Sequence, residues 1–431
     1  MHDVTSIVIL ISSFLGLLIL KVPISFTLAI SSFLTAFSLG IPPMVVVQKM
    51  CDVLDNFSLM AIPFFILAGQ IMAESGIARR LVDFSQILVG RMRGGLAVVN
   101  IVASMLFGGM SGSSVADTAS IGSILIPEMV KKGYDRDYSI AVTVTSSTQG
   151  LIIPPSHNAI IYAYAAGGLS IAKLFVAGAI PGVMIGLALL IPAYYIAVKK
   201  NYPVGERVPL KKAMRTVKES ILGLLTIVII IGGVLSGVFT ATESSAIAVV
   251  YAFLIAYFYY REMKLKDFWR IVIRSVRTIA AVMFLIASAS AFGWFLAYLK
   301  IPDAIASAVL SVSSNKYVIL LLINVILLLL GMIMDMAPLI LITTPIFLPI
   351  AQKVGVDPIH FGIIMLMNLG IGLCTPPVGN TLFVGCIVGE MKMEDVVKAL
   401  WPFYIAMVAV LFLVTYVPFF AMWLPSLLGN L

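Results

Sequence analysis

The sequence predicts an all-α polytopic membrane protein built from two repeats of inverted topology. Of its 431 residues, 61% are hydrophobic and only 11% are charged, whereas charged residues make up about 25% of an average soluble domain. A soluble globule could not cover its surface with so few polar residues. The formal charge of +8 comes from short basic runs between apolar stretches, which is typical of cytoplasmic loops and not of nucleic-acid binding.

The apolar runs predict ten membrane spans, because a helix of about 20 residues crosses a bilayer. They lie at 5–20, 23–40, 58–75, 138–168, 175–198, 221–239, 243–260, 278–298, 359–389 and 400–424. Two further apolar segments, 94–130 and 317–351, are interrupted near the middle by Gly108–Ser114 and Gly331–Asp335. A pair of half-length helices that enters and leaves on one side fits these interruptions better than a continuous span.

An internal repeat relates the two halves at an offset of 222 residues. Twelve positions from Gly109 to Gly167 match identical residues in the second half without a gap. They include Pro154-Pro155 opposite Pro376-Pro377, which apolar composition alone does not align. The repeat indicates a duplication, with one re-entrant hairpin and one Pro-Pro motif in each half.

The distribution of Lys and Arg predicts the orientation. With the spans above, 23 basic residues fall on one side and five on the other. The positive-inside rule makes the richer side cytoplasmic. The N-terminus is then periplasmic, and the hairpins open to opposite sides of a bacterial inner membrane. The polar segments 77–93, 261–277 and 301–314 are expected to lie along the membrane surface.

Each hairpin is followed by a helix-breaking motif, Gln149–Pro155 in the first half and Ile371–Pro377 in the second. Consecutive prolines remove backbone donors and disfavour the helical conformation of the preceding residue. The freed carbonyls must face protein or a wet cavity, because lipid cannot satisfy them. With nearby hydroxyls and a carboxylate, they form an oxygen environment suited to Na⁺. The alternative is a proline kink with a mechanical role.

The hairpin tips carry the polar residues expected to act in binding. The first tip offers Ser111, Ser113 and Ser114, with Asp117 one turn later; Asp335 lies in the second tip. Intramembrane carboxylates are costly and usually functional. Alternatively, the serines ease helix packing and Asp117 caps the returning helix.

Three other polar residues have possible structural roles. Glu243 is predicted to cap a helix, and His360 to be structural. His157 either touches substrate or is structural. The binding motifs contain no Arg or Lys, so an anionic substrate is expected to meet helix N-termini.

Motifs for other classes of protein are missing from the sequence. It has no HExxH, Walker or GxSxG motif and no cluster of His and Cys, so neither an enzyme nor a transition-metal site is predicted. A catalytic aspartyl dyad of Asp117 and Asp335 would need both carboxyl groups at the same depth in the membrane and facing each other. The two residues belong to hairpins that are predicted to enter the membrane from opposite sides. A passive structural subunit would leave the paired helix breaks unexplained.

Four motifs together resemble a known family, the large membrane subunit (M subunit, DctM-like) of tripartite ATP-independent periplasmic (TRAP) transporters. They are Gly108–Asp117, Gly150–Ser156, Phe239–Glu243 and Gly372–Asn380. The resemblance spans nearly the whole chain. It implies the ion-transporter-superfamily fold and Na⁺-coupled import of a small organic acid, such as a C4-dicarboxylate or sialic acid. Na⁺ is the coupling ion, and no other cofactor is expected.

The resemblance also implies partners and a mechanism. A soluble periplasmic binding protein delivers the substrate, and a small four-helix membrane subunit, expected here as a separate chain, completes the transporter. In an elevator mechanism, the hairpin regions 94–168 and 317–389 move against a scaffold. That scaffold is predicted at 1–93, 169–316 and 390–431. The alternative is a stand-alone Na⁺/dicarboxylate symporter of the same broad fold.

The resemblance also implies which residues of this chain bind Na⁺. The first Na⁺ site resembles Ser111, Gly150, Ile153 and Pro155, the last three through carbonyls, with Ser113 and Asp117 as further candidates. The second resembles Gly331, Asp335, Gly372, Thr375 and Pro377. It lacks the serines of the first, because Ile333 and Asp335 replace them. Candidate substrate contacts are Ser114, Ser156, His157, Asn158 and Asn380.

Overall fold

The computed structural model describes residues 2–205, 209–313 and 315–427, and this part of the chain is helical, as predicted. The exception to helix and loop is an isolated bridge between Arg93 and Val204. The helices are α1 (His2–Ile19), α2 (Ile24–Leu39), α3 (Pro43–Leu54), α4 (Ala61–Glu74), α5 (Ile77–Val89), α6 (Gly95–Ser111), α7 (Ser114–Lys131), α8 (Arg136–Ser147), α9 (His157–Ala165), α10 (Ile171–Lys199), α11 (Leu210–Leu235), α12 (Ala241–Leu254), α13 (Leu265–Tyr298), α14 (Ile301–Val312), α15 (Lys316–Gly331), α16 (Met336–Lys353), α17 (Pro358–Leu373), α18 (Asn380–Val388), α19 (Met393–Tyr416) and α20 (Phe419–Leu427). Within the described ranges, seven helical segments are long and apolar enough to cross a membrane.

Both predicted interruptions divide their segments into two helices of 16 to 18 residues each; the re-entrant course of these pairs stays a prediction. In the first, α6 and α7 meet at Gly112-Ser113; in the second, α15 and α16 meet across 332–335. The helices α7 and α16 are both 18 residues long and have the same bounds at the offset of 222. The opposite topology of the two halves stays a prediction.

Both predicted helix breaks are also present. A 3₁₀ turn, Thr148–Leu151, extends α8, and the chain is non-helical from 152 to 156 before α9 begins. The second break separates α17 from α18 between 374 and 379. The bonds Pro154–Pro155 and Pro376–Pro377 are both cis.

Two predicted boundaries differ from the structure. The segment 261–277 was expected to lie apart from the span 278–298, but α13 runs unbroken for 34 residues, about 50 Å at 1.5 Å per residue. No proline or glycine occurs between 265 and 292 to end it. Conversely, the predicted span 400–424 is divided, because Pro418 disfavours the helical conformation of Val417.

The side chains predicted to be structural have that role. The Thr240 hydroxyl accepts a hydrogen bond from the Glu243 N–H at 3.2 Å, and the Glu243 carboxylate accepts one from the Thr240 N–H at 2.8 Å. This is a capping box at the start of α12. The buried His360 ring bonds to the Val414 carbonyl at 2.8 Å, which ties α17 to α19.

Helices α10 and α19 pack against the hairpins and broken helices. The Tyr138 hydroxyl of α8 donates to the Ala193 carbonyl of α10 at 2.8 Å. A Cβ on Gly178 of α10 would lie 2.4 Å from the Ile152 carbonyl oxygen. A second group of helices packs around α13, which contacts α2, α3 and α4; α12 packs on α4 in the same group.

Candidate functional site

The first hairpin tip turns at Gly112 and is capped by Ser113. Gly112 has a φ of +61°, and a Cβ there would lie 2.8 Å from His157 Nδ1. Both the backbone conformation and the lack of space therefore require glycine at this position. The Ser113 hydroxyl accepts a hydrogen bond from the Ala116 N–H at 3.3 Å. Ser113 therefore caps α7, and the alternative prediction that Asp117 is this cap is wrong.

The second tip has Asp335 at the position that matches Ser113. Its carboxylate accepts a hydrogen bond from the Met336 N–H at 2.8 Å and caps α16. Asn380, at the start of α18, interacts with the same carboxyl group. A carboxyl group thus caps the second tip where a hydroxyl caps the first, so the two tips differ chemically, as the sequence predicts.

Pairs of glycines let each broken helix approach its hairpin. A Cβ on Gly150 would lie 2.4 Å from Gly108 Cα, and one on Gly372 would lie 2.5 Å from the Gly331 carbonyl carbon. No side chain fits at such distances. Gly150, Gly331 and Gly372 therefore act in backbone packing, a role separate from any ion binding through their carbonyls.

The two breaks leave carbonyl groups without hydrogen bonds at matching positions. Among the described residues, no N–H or O–H group bonds to the carbonyls of Ile153 and Pro155, nor to those of Thr375 and Pro377. The Thr375 hydroxyl instead donates to the Ile371 carbonyl at 2.8 Å. Each break therefore presents several free carbonyls, among them this matched pair, because a proline pair has no N–H to close the turn.

The tips and the first break border a cavity of about 400 Å³. Six of the predicted residues line it: Ser111, Ser113, Ser114, His157, Asn158 and Asp335. The beginnings of α7, α9 and α16 all face this space. Free N–H groups at helix N-termini favour an anion, and none of the described Lys and Arg residues lines the cavity.

The structure places other predicted residues behind the cavity wall. Asp117 is 0% exposed, and neither of its carboxylate oxygens has a hydrogen-bond partner in the described chain; Ser104 is the hydroxyl that faces it. The Ser156 hydroxyl donates to the Leu151 carbonyl at 2.6 Å and stabilises the break. Asp117 and Ser156 do not line the cavity. Asn380 does not line it either, but its side chain interacts with Asp335, which does.

Two polar wall residues, Gln70 of α4 and Thr278 of α13, were missed by the sequence analysis. The Ser275 hydroxyl donates to Gln70 Oε1 at 2.7 Å, which joins the two helices beside the cavity. Neither residue lies in a repeat or a break, so no local signal distinguishes them from other polar residues in apolar helices.

The tip cavity continues toward the side of the molecule that carries the basic loops. A second cavity of about 480 Å³ shares Gln70, Ala73, Ala116 and Ala119 with it and ends at Arg79 and Arg274. A further cavity lies near Asn56 and Tyr164 and has no lining residue in common with the tip cavity. The site therefore opens to the basic side.

Comparisons with known proteins agree with this architecture. The family "Tripartite ATP-independent periplasmic transporter, DctM component" matches residues 11–420. The chain is 47% identical to the uncharacterized protein YgiK of Salmonella typhimurium, over 98% of this chain and 97% of that one. It is 41% identical to the C4-dicarboxylate TRAP transporter large permease protein DctM of Pseudomonas aeruginosa, over 88% and 89% of the two chains.

A third relative and a solved structure extend the comparison. The sialic acid TRAP transporter large permease protein SiaM of Vibrio cholerae is 38% identical, over 97% of this chain and 98% of that one. The YdaH transporter of Alcanivorax borkumensis shares the fold with a TM-score of 0.61 over 86% of each chain, at 13% identity. Of these relatives, DctM and SiaM are large permease subunits of transporters and not enzymes. The chain belongs to the DctM family, the large permease component of tripartite ATP-independent periplasmic (TRAP) transporters.

Proposed function

We propose that this subunit imports a small organic acid anion together with Na⁺. The observation that carries the proposal is the set of free carbonyls at each helix break, which includes Ile153 and Pro155 in the first half and Thr375 and Pro377 in the second. Backbone carbonyls, hydroxyls and carboxylates are the hard oxygen ligands that suit such cations. Na⁺ is a transported ion in this account and not a resident cofactor.

The two Na⁺ sites differ in charge. In the first, Ser111 and the carbonyls of Gly150, Ile153 and Pro155 supply neutral ligands, and Ser113 lies at the same tip. In the second, the Asp335 carboxylate adds a negative charge to the oxygens of Gly331, Gly372, Thr375 and Pro377. Asp117 is buried behind the first tip and is not a direct Na⁺ ligand in this account.

The substrate binds, in this account, in the tip cavity. Its carboxylate meets the N-termini of α7 and α9, where Ser114, His157 and Asn158 lie. The relatives that carry C4-dicarboxylates and sialic acid support an organic acid as the cargo.

The moving body consists of the two hairpins, the two broken helices and the helices packed on them. The contacts of α10 and α19 support including both in this body, which departs from the division predicted from the sequence. The remaining helices, among them α4 and α13, form the scaffold in an elevator movement. The tip cavity lies between these two groups, because Gln70 and Thr278 face Ser114 and Asp335 across it.

The proposal places the chain in a bacterial inner membrane with a periplasmic N-terminus and the basic loops in the cytoplasm. Its partners are a periplasmic binding protein and a small four-helix membrane subunit. Membership of a tripartite family supports this arrangement over a stand-alone symporter.

The test uses proteoliposomes containing this chain, with and without a small TRAP membrane subunit and a TRAP periplasmic binding protein. Uptake of labelled succinate and sialic acid is measured while Na⁺ is varied against choline. We expect uptake only with all three proteins and Na⁺ present. Uptake by this chain alone would support the stand-alone symporter, and uptake independent of Na⁺ would contradict the coupling.

A further inference from the structure

Two guanidinium groups stand at the basic-side end of the cavity system. Arg79 lies in the first turn of α5 and Arg274 lies within α13. Both line the second cavity, together with Ser120 and Ser123 of the hairpin helix α7. A molecule that leaves the tip cavity through the second cavity therefore passes a wall that contains both arginines.

Arg79 interacts with the Glu262 carboxylate electrostatically, whereas its neighbour Arg80 binds that carboxylate directly. Arg80 binds the two carboxylate oxygens of Glu262 at 2.9 and 2.7 Å, and its guanidinium lies 3.7 Å from the centre of the Tyr260 ring. This contact lowers the pKa of the Glu262 carboxyl. In the part of the chain that the structure describes, no hydrogen bond or ion pair holds Arg79. Arg80 is a structural residue, and Arg79 is available to a ligand.

Arg274 is only partly neutralised. Its Nη1 lies 2.6 Å from Glu74 Oε1, with side chains 62% and 35% exposed. An ion pair this open to water contributes little stability, so a competing anion displaces it at small cost. Glu74 is the one acidic residue among the described lining residues, against two arginines. The wall therefore carries net positive charge.

We propose that Arg79 and Arg274 form a second anion station, which binds the carboxylate or sulfonate group of the substrate as it leaves the tip cavity. The inference rests on the proposed transport of an organic anion through that cavity. The positive-inside rule accounts for arginines on this side of the membrane, but not for their position in the wall of a passage. Glu74 competes for Arg274 and keeps the station weak, so that the anion is released.

The first experiment measures the charge of the passage without using transport. Ser123, exposed in the wall, is changed to cysteine in a Cys51→Ser background; Cys374 and Cys386 are buried. The new thiol reacts with methanethiosulfonate reagents that carry either a sulfonate or a trimethylammonium group. We expect Arg79→Gln and Arg274→Gln each to lower the anionic-to-cationic rate ratio about threefold, because a nearby charge attracts the anionic reagent.

Matched variants distinguish the effect of these two arginines from that of the overall positive charge on this side of the protein. Arg270→Gln removes a guanidinium from α13 that pairs with Asp267 and does not line the cavity; it should leave the ratio unchanged. Arg79→Lys, which keeps the charge, should also preserve the ratio. An unchanged ratio in both glutamine variants, or an equal fall in Arg270→Gln, would overturn the station.

The second experiment tests which anion uses the station. Exchange of labelled succinate and sialic acid is measured in proteoliposomes with the partner subunits. The substrate concentration is varied separately on each side of the membrane. We expect Arg79→Gln to raise the half-saturating concentration on the basic side three- to tenfold, about 1.4 kcal/mol at the upper end, without change on the other. If the ratio of anionic to cationic reaction rates falls but substrate exchange is unchanged, the arginines bind lipid headgroups and not the substrate. That result would overturn the proposal. The reagent assay needs no Na⁺, so failure of Na⁺ coupling alone leaves its result intact.

Discussion

The Ser114 hydroxyl of α7 and the Thr381 hydroxyl of α18 share a buried hydrogen bond of 2.7 Å. This bond joins the first hairpin to the second broken helix, so the two halves of the chain meet at the beginnings of two half-helices. The first hairpin also contacts its own break, because the Asn158 amide donates to the Gly112 carbonyl at 3.5 Å. The polar groups that we assign to binding are thus held by contacts within and between the halves.

Removing the Ser114–Thr381 bond should destabilise the protein without preventing membrane insertion. We expect Ser114→Ala and Thr381→Val each to lower the free energy of unfolding by about 1 kcal/mol, because each leaves a buried hydroxyl without its partner. The double variant should lose less than the sum of the two. Thermal unfolding in detergent measures this. Ser123→Ala is the control, since that hydroxyl bonds only within its own helix turn at 2.9 Å. Additive losses would show that the two hydroxyls are not coupled.

The glycines at the helix crossings should not tolerate a methyl group. Gly150→Ala places a Cβ 2.4 Å from Gly108 Cα, and overpacking of this kind costs about 1–3 kcal/mol. Gly232→Ala in α11 is the matched control, because a Cβ there meets nothing within 4 Å. The control should be as stable as the parent or more so. Equal stability of both variants would contradict the close approach of the backbones.

The fold and the tips could be predicted because their signals are local. The pair Pro154-Pro155 ends a helix by removing N–H donors, and the series Thr240–Glu243 carries its own cap. The wall residues Gln70 and Thr278 could not be predicted, since they come from distant helices and acquire their role only through packing. The same holds for Asp117, whose position behind the tip depends on how α6 and α7 turn about each other.

Removing a ligand from either proposed Na⁺ site should weaken the response to Na⁺. We expect Asp335→Asn and Ser111→Ala each to raise the Na⁺ concentration for half-maximal uptake about tenfold, a loss of about 1.4 kcal/mol. Asp303→Asn, which removes a carboxylate from the first turn of α14, should leave it unchanged. If both site variants keep the parental Na⁺ response, the tips are structural and the site assignment is wrong.

Linking the moving body to the scaffold should stop transport. Ala73 of α4 and Ala119 of α7 line the same cavity from the two bodies. A cysteine pair there, joined by a short reducible bifunctional reagent, is expected to abolish turnover, which should return on reduction. The same reagent between cysteines at Phe57 and Thr242, which are in contact within the scaffold, is the control. Full uptake with the first link complete would show that the hairpins do not travel.

The measurement that tests the central claim most directly is accumulation driven by an imposed ion gradient. Proteoliposomes with this chain and its partners, free of ATP, receive an inward Na⁺ gradient or an inward proton gradient with K⁺ in place of Na⁺. The account predicts that labelled substrate accumulates above the external concentration with the Na⁺ gradient, and that the Asp335→Asn variant needs a steeper gradient to reach the same level. Accumulation driven by the proton gradient in the absence of Na⁺ would contradict it.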